Sequence, residues 1–188
     1  PETIPIQHGT IELHKEGEMY MTKMPSVDPG SVINYQVRVS FGDGNSTRFP
    51  ENRADTWYQH FVGVIIPLYC TSFEDAEQIG GWEHQLVAGE EREGANDWQQ
   101  GPPAGMPGSG DPSLAYDGDS VFGNDLGWDD YNGMYQPDKV NALSSPIVDT
   151  LGHENVRLQY HRWLNVEDGY YDQATIYSNE TMIWQNTN

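Results

Sequence analysis

Carboxylates are the most abundant side chains in this sequence that could do chemistry, and they are concentrated in one segment. From Cys70 to Asp138 there are fifteen Asp and Glu residues and one base, Arg92, so this segment holds fourteen of the chain's twenty net negative charges. The segment is also rich in aromatic residues, unlike a solvated disordered tail. Because so many carboxylates would repel one another in a folded protein, a hard cation that prefers oxygen ligands, such as calcium, is predicted to bind them.

The predicted calcium ligands are carboxylates that a predicted strand end and later loops would bring to one sheet edge: Glu74, Asp119, Asp125 and Asp172. A second, weaker site is predicted within one loop, from Asp129, Asp130 and Asn132. For both sets the alternative is that the side chains are solvated turn residues. No run matches the spacing of an EF-hand loop.

No catalytic motif stands out. The nearest approach to a zinc-binding helix is His153-Glu154, but the position four residues after His153 is Arg157, so the second histidine is missing. Two loop carboxylates about 5 to 9 Å apart could serve a glycosidase, although fifteen acids would supply such a pair by chance. The chain is therefore predicted to be non-catalytic, with a glycan-active protein as an alternative.

Aromatic residues in a Gly- and Asp-rich loop suggest a carbohydrate-binding surface. Trp128, Tyr131 and Tyr135 are the candidates for a flat ligand platform, with packing over the sheet edge as the alternative. The other tryptophans lie in alternating segments and are predicted to be core residues: Trp82, Trp163 and Trp184.

Charge and hydropathy exclude several classes of partner. A net charge of −20 leaves no basic face for nucleic acid or an anionic membrane surface. No apolar run approaches the roughly 20 residues that would cross a bilayer, and residues 1–15 do not resemble a signal peptide. Cys70 follows an apolar run and is predicted to be buried. The acidic, Asn- and Gly-rich composition favours a secreted or cell-surface protein.

The spacing of apolar residues predicts an all-β protein in two parts, residues 1–66 and 67–188. In the first part, Thr10–His14 and Glu18–Thr22 are predicted to form a hairpin. One strand is predicted over Val32–Phe41, with Ile33 inward, and another over Trp57–Val62. This layout resembles the C-terminal half of an immunoglobulin-like or fibronectin-III-like module.

In the second part, eight short strands predict an antiparallel β-sandwich of the jelly-roll type. They are Thr71–Glu74, Trp82–Val87, Asp97–Gln100, Ser120–Gly123, Ala142–Val148, Val156–Leu164, Asp172–Tyr177 and Thr181–Gln185. Val156, Leu158 and Tyr160 alternate with polar residues and are predicted to point inward. Asn179-Glu180 is predicted to be the turn between the last two strands.

The order of short motifs in residues 70–188 resembles the MAM-like jelly-roll of the immune-inhibitor-A group. The motifs are Phe73-Glu74, Gly81-Trp82, Asp97-Trp98-Gln99-Gln100-Gly101, Asn124-Asp125-Leu126, Leu143-Ser144-Ser145-Pro146 and Leu158-Gln159-Tyr160-His161-Arg162-Trp163. Such modules follow metallopeptidase domains in exported bacterial proteins. The resemblance implies an accessory region that binds or positions another domain of the same protein. The alternative is a structural subunit of an extracellular assembly, whose sheet is completed by a strand from a neighbouring subunit.

Overall fold

Antiparallel strands make up nearly all the regular structure of the chain. The computed structural model describes residues 8–51, 55–104, 110–128 and 131–186. In these ranges the strands form two-stranded antiparallel ladders, so the all-β class is confirmed. The chain divides into two compact units between Ile65 and Ile66.

The first unit contains three of these ladders. A hairpin is formed by β1 (His14–Glu16) and β2 (Met19–Met21), and Gly17 takes the left-handed conformation, with a φ of 61°, in its turn. The other strands are β3 (Ser31–Tyr35), β4 (Val37–Ser40), β5 (Ser46–Phe49) and β6 (Tyr58–Val62). Strand β3 pairs with β6, and β4 pairs with β5.

The single strand predicted over Val32–Phe41 is two strands that pair with different partners. The ladder breaks at Gln36, whose side-chain amide donates to the Thr56 carbonyl at 2.5 Å. In β3 the predicted alternation holds, because Ile33 is partly buried and Val32 is exposed. Beyond the break Phe41 is 53% exposed, so the inward face does not continue along the whole segment.

The second unit contains a short helix and three further ladders. The helix is α1 (Ala76–Ile79), and the strands are β7 (Glu83–Ala88), β8 (Trp98–Gly101), β9 (Val121–Asn124), β10 (Val140–Ser144), β11 (Thr175–Ser178) and β12 (Thr181–Gln185). Strand β7 pairs with β10, β8 with β9, and β11 with β12. The predicted turn at Asn179-Glu180 is confirmed, and Asn179 adopts a left-handed φ of 52° that asparagine tolerates.

An aromatic cluster joins the residue before β7 to β9. The rings of Phe73, Trp82 and Phe122 lie with centroids 5.3 to 5.7 Å apart. Phe73 has a left-handed φ of 64°, and its carbonyl accepts a hydrogen bond from the Gln100 amide at 2.7 Å. The strand predicted over Thr71–Glu74 is therefore wrong, because a left-handed residue interrupts an extended backbone.

Three further predictions in the second half are wrong. The segment 156–164 joins no ladder of the described residues, and its predicted inward residues are exposed: Val156 53%, Leu158 62% and Tyr160 44%. Trp163, predicted to be a core residue, is 64% exposed, and Cys70, predicted to be buried, is exposed. Without a paired strand beside it, the 156–164 segment gives its side chains no sheet face against which to pack. Trp82 and Trp184 are partly buried.

Candidate functional site

Glu74 holds the loop that leads into β9. Its Oε1 accepts hydrogen bonds from the backbone N–H groups of Asp119 at 2.8 Å and Ser120 at 2.6 Å. The Ser120 hydroxyl donates to Oε2 at 3.2 Å. The loop approaches the carboxylate so closely that a Cβ added to Gly118 would lie 2.5 Å from Oε1. Gly118 has a left-handed φ of 67°, so glycine suits this position on both counts.

These hydrogen bonds lower the pKa of Glu74 below its ordinary value. The backbone N–H of Ser120 is the largest cause and that of Asp119 the next, because both donate to the ionised carboxylate. The side chain is exposed, so solvent screens this effect. Glu74 thus acts as an anionic acceptor for a loop backbone.

Asp97 and Asp125 lie opposite one another at the end of the β8–β9 ladder. Trp98 pairs with Asn124 in the register, so Asp97 and Asp125 are the next cross-strand positions. The backbone N–H of Asp125 donates to the Asp97 carbonyl at 2.7 Å, which extends the pairing by one step. Both residues are buried, at 0% and 3% exposure. Like charges at directly opposite positions repel, and burial increases the cost.

Both oxygens of the Asp97 carboxylate accept hydrogen bonds from neutral donors. Oδ1 accepts from the side-chain amides of Asn124 at 2.8 Å and Asn141 at 2.7 Å, and Oδ2 accepts from the Gln136 backbone N–H at 2.9 Å. These bonds connect the residue before β8 with β9, with β10 and with the loop before β10. The donors are two side-chain amides and one backbone N–H, so none of them carries a positive charge.

The Asp125 carboxylate is only half satisfied. Its Oδ1 accepts from the backbone N–H groups of Gly133 at 2.6 Å and Gly127 at 3.2 Å. Its Oδ2 is buried and has no hydrogen-bond partner among the described residues. Asp125 also has a left-handed φ of 46°, which aspartate tolerates better than most residues. Side chain and backbone together fix the loop that follows β9.

The structure distributes the four predicted calcium ligands over three places. Glu74 binds the loop that contains Asp119, Asp125 faces Asp97, and Asp172 accepts a hydrogen bond from the Tyr135 hydroxyl. Within the described ranges, no hydrogen bond or ion pair joins these three groups to one another. In the same ranges, no three His, Cys, Asp or Glu side chains are grouped so that they could hold a metal ion. The four-carboxylate site stays a prediction.

The polar atoms of the predicted aromatic platform form hydrogen bonds with other residues of the chain. The Trp128 indole N–H donates to the Pro102 carbonyl at 2.7 Å, and the Tyr131 hydroxyl donates to the Asn96 carbonyl at 3.5 Å. Trp128 and Tyr135 are 43% and 40% exposed. The rings are thus accessible in part, while their polar atoms fasten the loop to the strands.

Tyr135 connects this loop to the segment before β11. Partial burial raises the pKa of the Tyr135 hydroxyl, and the hydrogen bond to Asp172 raises it further.

Of the second predicted metal site, Asp129 and Asp130 lie outside the described residues. Asn132 is exposed, and its side-chain oxygen accepts from the Met134 N–H at 3.0 Å.

Two residues important in this region, Asp97 and Asn141, were not among the predicted ligands. A polar residue between Val140 and Ala142 in a strand is a signal for a buried hydrogen-bond network, as is an acid directly before a strand at Asp97. Neither signal identifies the partner, because the contacts join residues 44 positions apart.

Comparisons with known proteins neither name a family nor provide a relative. No family model matches the chain, and no curated protein or solved structure matches it significantly. Within the described part of the chain, no helix has the length and apolar character needed to cross a membrane.

Proposed function

We propose that this chain is a non-catalytic, calcium-stabilised binding or positioning region of an exported multidomain bacterial protein. Its role is to hold or orient a neighbouring domain of the same protein, such as a metallopeptidase. The MAM-like resemblance of residues 70–188 motivates the domain context, and the acidic composition motivates a secreted or cell-surface location.

The observation that carries the proposal is the way in which the carboxylates are used. Glu74, Asp97 and Asp125 each accept hydrogen bonds from backbone N–H groups of loops. A carboxylate used in this way stabilises architecture, whereas a catalytic acid or base needs a proton position that a substrate can reach. Two of the three are buried, and buried carboxylates are stabilised by a bound cation.

Exposed apolar side chains support the binding role. Ile147 is 100% exposed and Leu151 is 88% exposed. Extensive apolar exposure is typical of a surface that contacts another protein or domain.

Thermal unfolding in calcium and in chelator tests the calcium part of the proposal. We expect millimolar calcium to raise the melting temperature of the chain by several degrees, since calcium at 100 times its Kd would add about 2.7 kcal/mol. Magnesium serves as the control cation. Equal melting temperatures in calcium and chelator would contradict calcium stabilisation.

The complete coding sequence tests the domain context, and a reading frame of only this length would contradict it.

A second candidate function is that of a structural subunit completed by strand addition. The observation that favours it is the segment 156–164, which alternates apolar and polar residues but joins no ladder of the described residues. Leu158 in this segment is 62% exposed. By adopting a strand conformation on binding, a segment with this pattern could pair with an edge strand of a neighbouring subunit and bury its apolar side chains there.

A further inference from the structure

The end of the β8–β9 ladder holds two buried carboxyl groups that pair with no cationic side chain among the described residues. Asp97 and Asp125 occupy opposite positions and are almost completely buried. No ion pair to either carboxylate is found within the described ranges. Arg92, the only lysine or arginine between Cys70 and Asp138, donates instead to the Gln136 side-chain oxygen at 2.9 Å. Two buried carboxylates held only by neutral donors are costly, so a compensating charge is expected.

A second, independent observation comes from Asn141 on β10. Its Nδ2 donates to the Ala95 carbonyl at 3.0 Å and to Asp97 Oδ1 at 2.7 Å. Because both partners are acceptors, the amide orientation is determined, and the oxygen must be on the other side. This Oδ1 is buried and lacks a hydrogen-bond partner among the described residues, as does Asp125 Oδ2.

The two unsatisfied oxygens belong to one network. Asn141 contacts Asp97 directly, and Asp97 is the cross-strand neighbour of Asp125. The two carboxylates also bind the same loop, Asp125 at Gly133 and Asp97 at Gln136. Buried acceptors without donors are rare in folded proteins, and two in one network indicate a missing ligand that offers positive charge or hydrogen-bond donors.

We propose that Asp125 Oδ2 and Asn141 Oδ1 bind a calcium ion, with the Asp97 carboxylate adding negative charge beside it. This inference rests on the calcium-stabilised function proposed above, but it assigns different ligands. Calcium accepts carboxylate and amide oxygens and completes its shell with backbone carbonyls and water. The site therefore does not need three acidic side chains. A water molecule could donate to both oxygens, but it would bring no positive charge to the two carboxyl groups.

Terbium, which replaces calcium and emits when excited through a nearby tryptophan, provides a direct readout. Trp98 follows Asp97 in the chain and can sensitise an ion at this position. We expect the purified chain to show terbium emission that calcium displaces. Asp125→Asn, which removes one charge while preserving shape, should weaken terbium binding by roughly tenfold or more.

Two control variants separate this site from the four-carboxylate site. Asp119→Asn makes the same chemical change in the same acidic segment, at an exposed side chain. Glu74→Gln alters another of the predicted ligands. Both variants should bind terbium as the unmodified chain does. Loss of binding in either variant, or unchanged binding in Asp125→Asn, would overturn the assignment.

Asn141→Asp keeps the test decisive if Asp125→Asn does not fold. The new carboxylate retains an oxygen at the ligand position but faces the Asp97 carboxylate, so the variant should melt below the unmodified chain in chelator. Calcium should then raise its melting temperature by more than it raises that of the unmodified chain. A destabilised variant that calcium does not rescue would point to water in the pocket and overturn the inference.

The outcomes also separate this inference from the proposed function. If calcium stabilises the unmodified chain but Asp125→Asn and Asn141→Asp respond as it does, calcium stabilisation stands and the assigned ligands are wrong. If the unmodified chain shows neither terbium emission nor a calcium-dependent melting temperature, both calcium proposals fail. In that case the binding or positioning role would have to be tested without reference to a metal.

Discussion

Single carboxylates in this chain organise loops by accepting hydrogen bonds from backbone amides. Glu74 binds the residues before β9, whereas Asp125 binds the residues after it. A hydrogen bond to an ionised acceptor is stronger than one between neutral groups, so an acid at such a position orders a loop that has little apolar packing. The high density of acids in the 70–138 segment thus has a structural use at these positions.

Glu74→Gln should destabilise the chain in a pH-dependent way. The pKa of Glu74 is lowered in the folded state, so its stabilising effect is fully present above the pKa of the unfolded state. That effect is lost as the pH falls through the folded-state pKa. Urea unfolding should therefore show the unmodified chain to be more stable than the variant at pH 7, with the difference shrinking as the pH falls below the pKa of an unfolded-state glutamate and through the lowered folded-state pKa of Glu74.

Glu90→Gln is the matched control for this experiment. Glu90 is exposed and lies in the same acidic segment. Its replacement should change the unfolding free energy equally little at both ends of the pH range. A Glu74→Gln variant whose stability difference from the unmodified chain is independent of pH would show that the loop does not depend on the ionised carboxylate.

The sequence identifies some of these acids but not the contacts that they make. Asp125 and Glu74 stand out because they belong to short motifs within an acidic segment. Asp97 and Asn141 gain their importance from strands that meet only after folding, since a contact across 44 positions is not encoded in local spacing. Local spacing therefore points to individual acids, but not to the residues that they meet in the fold.

At the level of elements, the sequence predicts strands best where a turn fixes the register. Strand β12 has the predicted bounds of Thr181–Gln185, because Asn179-Glu180 brings it directly beside β11. The segment 156–164 shows clean alternation but no adjacent turn, and it joins no described ladder. Alternation shows that a segment can cover a surface, but it does not provide the neighbouring strand.

Two glycine substitutions test how closely the loop between Ala115 and β9 packs against the Glu74 carboxylate. Gly118 and Gly152 both have left-handed φ values, 67° and 78°. An added Cβ would lie 2.5 Å from Glu74 Oε1 at Gly118, but would meet nothing within 4 Å at Gly152. Gly152→Ala should therefore cost only the backbone strain of about 1 kcal/mol, and Gly118→Ala should cost more.

Repeating both glycine substitutions in the Glu74→Ala background gives a double-mutant cycle for the contact between Gly118 and Glu74. Removing the carboxylate removes the steric conflict, so the excess cost of Gly118→Ala over Gly152→Ala should disappear in urea unfolding. An excess that persists without Glu74 would show that Gly118 is required for backbone conformation alone. Equal costs in the unmodified background would contradict the close fit of the loop to Glu74.

For the molecule as a whole, apolar exposure predicts association. Among the described residues, Ala95 is the one buried hydrophobic residue, at 2% exposure. We expect light scattering to detect species heavier than the 21.2 kDa monomer, in proportions that rise with concentration. A monodisperse monomer at every concentration would count against the structural-subunit candidate.

Adjacent substitutions can locate the associating segment. Leu158→Asp places a charge on the apolar side of the 156–164 segment, whereas Gln159→Asp places the same charge on its polar side. Leu158→Asp should shift the molecular mass toward the monomer, and Gln159→Asp should shift it much less. Equal effects of the two variants would exclude association through one face of this segment.

The left-handed backbone at Phe73 places two opposite demands on one position. Glycine would suit a φ of 64° best, but it would remove the ring that packs against Trp82 and Phe122. Another aromatic residue would preserve the cluster and retain the strained backbone, while a β-branched residue would satisfy neither demand. During evolutionary drift, few single substitutions at this position would be neutral, although Phe73 itself performs no chemistry.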